Sequence, residues 1–255
     1  MLKYLLCLLM LNSCMLSLNA KDLPLQSDKY KAAAEYSLKF FDAYDPWEPF
    51  NRHMYRFNRI LDDDLLEPMV SGYQFITPDF IEKGVHNFFS NISELPVLAN
   101  SILQVKGKKI VGTGGRLLLN TTLGVVGLWD PATVWFEMLK YSEDFGQTLG
   151  YYGVPEGPYV ILPLLGPSNC RDSIGYGVDS FTLSLLYPTS TAFGTKAAVG
   201  TLKGIDTRAH VTIAYGDFDS MFEYEKVRAL YIKSRVLLVN DAKLTQPVKS
   251  TSDDL

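Results

Sequence analysis

Residues 144–172 read DFGQTLGYYGVPEGPYVILPLLGPSNCRD, and the rest of the chain is interpreted against them. Gly146, Gly150, Gly153, Gly157 and Gly166 alternate with Pro155, Pro158, Pro163 and Pro167, so no regular helix can run through the middle. The stretch is expected to be a shaped loop. Yet Tyr151, Tyr152, Tyr159, Val160, Ile161, Leu162, Leu164 and Leu165 are too apolar for a loop that simply faces water. Such a loop is either packed inside protein or laid into a lipid interface, where tyrosine keeps an apolar body and a polar tip.

Composition narrows the classes. The 255 residues are 47% hydrophobic and 13% aromatic, with 15 Tyr and 14 Phe, enough for one sizeable domain rich in rings. A net charge of -4 argues against nucleic acid, whose phosphates demand a basic surface.

The first residues, MLKYLLCLLMLNSCMLSLNA, place Lys3 before an apolar run too short to span a bilayer, which is the pattern of an export signal. Leu11-Asn12-Ser13-Cys14 is similar to a lipoprotein cleavage box, giving a signal of residues 1–13 with acylated Cys14 as the mature start. Without lipidation the leader would be 1–20. A polar tether over 14–30, a helical domain over 31–240 and a disordered tail over 241–255 complete the expected organisation. Cys7 goes with the leader and Cys170 has no intrachain partner, so no disulfide framework is expected.

Helical spacing recurs through the domain. Asp45-Pro46-Trp47-Glu48 reads as a helix start with Asp45 as cap, or Pro49 marks the first turn; Phe50, Met54, Phe57 and Leu61 then form an aromatic face. Asp62-Asp63-Asp64 is expected to end that helix in a solvated turn. Thr77-Pro78-Asp79 opens a second helix that continues to Gln104, and Lys106, Lys108 and Lys109 form a small basic cluster expected in a solvated turn. The glycines over 112–115 lack the ending of a phosphate loop and suit close packing. The most apolar mature segment, 117–136, is broken by Asn120, Thr121, Thr122, Asp130 and Pro131, so it is expected to fold as a helical hairpin and not as one spanning helix. A last helix is expected over 220–239.

Catalytic patterns are missing from the sequence. His53, His86 and His210 carry no HExxH pair, no zinc-type Cys/His spacing and no GxSxG elbow, so neither a catalytic residue, a metal nor a cofactor is expected.

Several motifs together resemble one family. They are Asp45-Pro46-Trp47-Glu48-Pro49-Phe50-Asn51-Arg52, Met54-Tyr55-Arg56-Phe57-Asn58, Asn87-Phe88, Arg116-Leu117-Leu118-Leu119-Asn120-Thr121-Thr122-Leu123-Gly124, Gly127-Leu128-Trp129-Asp130-Pro131-Ala132, and Phe145-Gly146-Gln147-Thr148-Leu149-Gly150-Tyr151-Tyr152-Gly153-Val154. Over residues 40–240 they look like the MlaA (VacJ) family of outer-membrane lipoproteins. The resemblance implies a mainly α, ring-shaped bundle of amphipathic helices in the membrane interface, without a spanning helix and with an amphipathic channel. It implies phospholipid as cargo, an MlaC-like periplasmic carrier and a trimeric porin as partners, and a place in the periplasmic leaflet of the outer membrane. The polar residues within apolar context, Asn51 and Asn58 beside Phe57, and Asn120, Thr121 and Thr122 before Gly124 and Asp130, are the candidates for channel or gate. A secreted lipid hydrolase and a structural envelope lipoprotein are the alternatives.

Overall fold

The computed structural model describes residues 43–185, 192–211, 215–216 and 222–244, with residues 242–244 described by backbone alone. The leader, Cys14, the tether, residues 31–42 of the expected helical domain and the residues after Leu244 lie outside the described residues. The tail boundary expected at 241 falls inside the last helix.

The elements run α1 (Glu48–Leu61), a π-helical turn (Asp62–Leu66), α2 (Glu67–Ile76), α3 (Asp79–Leu103), α4 (Gly107–Thr122), a one-turn α5 (Pro131–Val134), α6 (Phe145–Tyr151), strands β1 (Tyr159–Leu162) and β2 (Gly166–Asn169), α7 (Cys170–Ser184), α8 (Phe193–Ala209) and α9 (Glu223–Leu244). The fold is mainly helical, and no described helix is long and apolar enough to cross a membrane.

The amphipathic pattern is turned around. In α1, Phe50 and Phe57 of the aromatic face are exposed, while the buried stripe is Asn51, Tyr55, Asn58 and Asp62 at the same i, i+4, i+7, i+11 spacing. Elsewhere Glu94, Asn100, Gln104, Arg116 and Asn120 are buried, while Phe75, Phe80, Val111, Leu118 and Leu139 are exposed. A small aromatic core of Tyr55, Tyr159, Ile161 and Tyr224 sits where α1, β1 and α9 meet. Tyr224 packs edge-on against both other tyrosines.

Residues 144–172 are more regular than a loop. β1 and β2 pair antiparallel, Tyr159 with Asn169 and Leu162 with Gly166, around a turn at Pro163-Leu164-Leu165. Alternation decides the strand: Tyr159 and Ile161 point into the aromatic core, whereas Leu164 and Leu165 at the turn are exposed. Packing inside protein therefore holds for the strand, while the turn between the strands leaves its apolar side chains exposed.

The free edge of β1 is met by side chains of α1. Asn51 donates to the Tyr159 carbonyl at 3.0 Å and accepts from the Ile161 amide at 2.8 Å. Asn58 donates to the Leu162 carbonyl at 2.9 Å and accepts from the Leu164 amide at 2.8 Å. Seven helical residues advance about 10.5 Å and three extended residues about 10 Å, so asparagines at i and i+7 keep step with the strand. Each amide stands in for a missing third strand. Asn51→Ala or Asn58→Ala strips partners from buried peptide groups, and each is expected to lower stability by about 1–3 kcal/mol, read from thermal unfolding in detergent.

Four local expectations are corrected. Asp45 does not cap α1; it accepts from Asn51 at 2.8 Å, from Arg228 at 2.9 Å and from the Tyr224 hydroxyl. Asp62 does not lie in a solvated turn, because the helix continues through it as a π-turn and Arg208 grips its carboxylate with two bonds of 2.6 and 2.9 Å. Lys106 and Lys109 are drawn inward onto Glu143, at 2.5 and 2.6 Å, so only Lys108 of that cluster is fully exposed. The last helix begins at Glu223 and not at 220.

Helix backbones come into direct contact where α6 crosses α7. A β-carbon on Gly175 would lie 2.3 Å from the Gly146 nitrogen, and Arg235 of α9 reaches the same place, binding Asp144 through two nitrogens at 2.6 and 2.8 Å and Asp172 at 2.7 Å.

Candidate functional site: the apolar hairpin and its polar anchor

The segment after α4 turns back on itself over residues 123–129 before Pro131 starts α5, as the hairpin reading expects. α4 ends because the chain leaves right-handed geometry: Val125 has φ 52°, Val126 φ 60° and Gly127 φ 89°. Two consecutive β-branched residues in the left-handed region are unusual, at roughly 1–3 kcal/mol of strain each. Their side chains are 65% and 62% exposed, so side-chain burial does not compensate. Leu123, Leu128, Trp129, Val134, Trp135 and Phe136 are exposed around them, Trp129 and Trp135 in edge-on contact at 4.5 Å.

Backbone bonds hold the strained turn. The Val126 amide donates to Thr121, Gly127 to Asn120 and Trp129 to Gly124, at 3.0, 2.8 and 3.0 Å. Gly124 is required by space, since a β-carbon there would lie 2.2 Å from the Trp129 carbonyl oxygen and 2.3 Å from that of Asn120. Helix α3 supports the tip: Asn91 donates to the Thr121 hydroxyl at 3.1 Å, and Asn87 donates to the Leu128 carbonyl at 3.2 Å.

Beneath the apolar tip lies Arg116, 1% exposed. Its Nε donates to Glu94 of α3 at 2.9 Å, its Nη1 to the Thr133 hydroxyl at 2.8 Å and the Met138 carbonyl at 2.9 Å, and its Nη2 to Asp130 at 3.0 Å. One guanidinium thus ties α3, α4, α5 and the following segment together. Asp130 caps α5 through the Thr133 amide at 2.9 Å. Burial pushes the Asp130 pKa up, but the bonds from Thr133 and Arg116 more than reverse this and hold it below the usual carboxylate range. A depressed carboxylate contributes stability that is present above its unfolded pKa and lost as pH falls through the folded one. The anchor is therefore expected to protect hairpin amides from hydrogen exchange through the neutral range and to loosen only below about pH 4.

The candidate residues separate into two places. Asn120, Thr121, Thr122, Gly124 and Asp130 come together at the hairpin, where Asn120 accepts from the Ala132 amide at 3.1 Å and Thr122 donates back to Leu118 at 2.6 Å. Asn51 and Asn58 serve β1 instead, and Phe57 is exposed on the opposite side of α1. Arg116 and Glu94 were not among the sequence candidates. Their signal was a single charge of each sign inside otherwise apolar helical runs.

Amide and charged groups turned inward, large apolar groups turned outward and, among the described residues, no helix able to cross a bilayer define a helical protein with a reversed surface. The chain belongs to the MlaA lipoprotein family, whose model matches residues 43–237. It is 35% identical over 206 residues to the intermembrane phospholipid transport system lipoprotein MlaA of Escherichia coli K12, across 78% of this chain and 80% of that one. The protein of the same name from Haemophilus influenzae is 30% identical, across 83% and 85%. An uncharacterized protein of Rickettsia typhi, RT0044, is 38% identical over 153 residues, and the match spans 61% of its length. Among solved structures, a chain from work on the structural basis for maintenance of bacterial outer membrane lipid asymmetry superposes with a TM-score of 0.65 at 33% identity, covering 78% of this chain and all of that one.

Proposed function

We propose that the chain is the outer-membrane component of a retrograde phospholipid transport system, taking mislocalised phospholipid from the outer leaflet and passing it to an MlaC-like periplasmic carrier. The observation that carries this is the reversed surface in a member of the MlaA lipoprotein family. Exposed aromatic and aliphatic side chains on short helices suit the periplasmic leaflet, with acyl chains on Cys14 as anchor and a trimeric porin as neighbour. Polar groups turned inward offer a headgroup a path that the acyl chains do not share. In this reading the hairpin is the gate: Thr121 and Thr122 border the polar path, Asn120, Gly124 and Asp130 hold the turn, and the apolar tip meets the lipid tails. Asn51 and Asn58 keep the wall behind it by fixing β1, with Phe57 turned to the lipid.

The chemistry needed is transfer of an intact lipid, so no bond is broken and no nucleophile is used. Outer-leaflet phospholipid in cells with and without the protein tests the proposal. Accumulation without it, reversed by complementation, is the expected result. Lysolipid or free fatty acid on incubation with the purified protein would favour the hydrolase, and unchanged leaflet composition with a weakened envelope would favour a structural role. His53 is exposed, its Nδ1 2.6 Å from the Pro49 carbonyl oxygen, and His53→Gln is expected to leave transfer within several-fold, whereas losing a general base costs about a hundredfold or more. Intact mass of membrane-extracted protein tests the anchor: a diacylated chain starting at Cys14 is expected, and an unmodified chain starting at Lys21 would reject it.

A further inference from the structure

Away from the hairpin, α3 and the end of α8 bring three metal-ligating side chains together. Asp206 and His210 lie at i, i+4 on the end of α8 and therefore share a face. His86 arrives on α3 from 120 residues away. One donor atom from each of His86, Asp206 and His210 lies within 4.8 Å of the others. Asp206 sets Oδ2 3.2 Å from the Nδ1 of His86 and Oδ1 3.6 Å from the Nδ1 of His210, and the two imidazoles stack with centroids 3.8 Å apart.

We propose that His86, Asp206 and His210 form a binding site for a divalent transition-metal ion of the zinc type, which clamps α8 to α3. Donor chemistry points there first. Two imidazoles and one carboxylate form a zinc ligand set, while calcium and magnesium prefer all-oxygen sites. Bonds of about 2.0–2.1 Å at tetrahedral angles place ligand atoms about 3.3 Å apart, close to the two separations that Asp206 already makes. The Nδ1 of His210 lies 2.9 Å from the Asp206 main-chain carbonyl oxygen, so ligation through that nitrogen exchanges this contact for the ion, and ligation through Nε2 keeps it.

Independent support comes from Asp206 itself. It is 2% exposed, and its Oδ1 has no hydrogen-bond partner, a costly condition for a buried carboxylate oxygen. Beside it the buried Tyr73 hydroxyl on α2 also lacks a hydrogen-bond partner. A cation at this point would neutralise Asp206 and occupy Oδ1. His210, at the exposed end of α8, gives the ion a way in. The site is separate from the hairpin, and the inference does not depend on the lipid-transport reading.

The test uses the full chain purified in detergent, stripped with a chelator and titrated with Zn2+, with Co2+ as a spectroscopic probe. One equivalent of Zn2+ per chain is expected, with a rise in melting temperature and cobalt d–d bands of a low-coordinate site. His86→Gln and His210→Gln should each weaken binding by at least about tenfold, the size that even loss of an outer-shell partner produces, and should abolish the zinc-dependent rise in melting temperature. His53→Gln is the control and should bind as the parent does. His210→Gln is the decisive variant, because its exposed position lets it fold even if Asp206→Asn does not. Substoichiometric binding by the parent, or affinity unchanged from the parent in His86→Gln and His210→Gln, would overturn the site and leave Asp206 as a hydrogen-bonding partner of the two histidines.

Discussion

Arg116→Ala is expected to lower stability by about 3–5 kcal/mol, the range found when one partner of a buried ion pair is removed. The size follows from what stays behind. Glu94 is as buried as Arg116, and without the guanidinium its carboxylate would keep a charge in a place water does not reach. Thr133, the Met138 carbonyl and Asp130 each lose a donor in the same step. Arg116→Lys should recover little, since a single ammonium cannot span Glu94 on one side and Asp130 on the other. Arg116→Met paired with Glu94→Gln should recover much of the loss, because it removes the uncompensated charge and keeps the volume. Thermal unfolding of the four proteins in detergent separates these cases. A loss under about 1 kcal/mol for Arg116→Ala would mean that water reaches the cluster, as for an exposed pair.

The helical class was legible because the 3.6-residue spacing is strong in α1 and α3, and because Thr77-Pro78-Asp79 marks a helix start in any environment. Which side of each helix faces inward was not legible, because periodicity gives a stripe and not its direction. For α1 the stripe Phe50, Met54, Phe57, Leu61 and the stripe Asn51, Tyr55, Asn58, Asp62 have equal spacing, and the apolar one would be chosen as core in a water-soluble protein. The strand pair was missed for a related reason. Four residues of alternation in Tyr159-Val160-Ile161-Leu162 are hidden by flanking prolines and glycines, and the side chains that complete the β1 edge come from more than a hundred residues away.

At the candidate site, the break at 124–131 was visible from Gly124, Asp130 and Pro131, and the interrupted helix is what they produce. The positive φ of Val125 and Val126 could not have been read from residue type, since valine is disfavoured there. Bonds from residues 126 and 127 back to the end of α4, and from residue 129 to Gly124, hold that geometry. Lys106 and Lys109 misled for the opposite reason: a run of lysines predicts solvent, and the buried Glu143 that reverses the outcome lies more than thirty residues on.

Tethering the hairpin to α3 is expected to stop lipid removal while leaving the protein in the membrane, if the hairpin is the gate. Strain at Val125 and Val126, together with an apolar tip that buries little of itself, is what a segment with a second arrangement would show. Its support on α3 is light: two amide bonds, from Asn87 and Asn91, and van der Waals contact near Gly84. A β-carbon on Gly84 would lie 3.7 Å from the Leu128 carbonyl oxygen and 4.0 Å from its Cδ2, so Gly84→Cys with Leu128→Cys brings two thiols within reach of a short, reducible crosslinker. Cys170→Ser removes the remaining free thiol of the described residues. Crosslinked protein should lose transfer to the carrier by a hundredfold or more, a loss of about 2.7 kcal/mol or more in effective barrier terms. Reduction of the linker should restore it, which separates a locked gate from a damaged fold. Membrane association should not change in either state, because the apolar face and the anchor proposed at Cys14 are untouched. Full transfer with the tether in place would show that lipid passes without movement of the hairpin, and residues 123–129 would then be a fixed apolar rim held by Arg116.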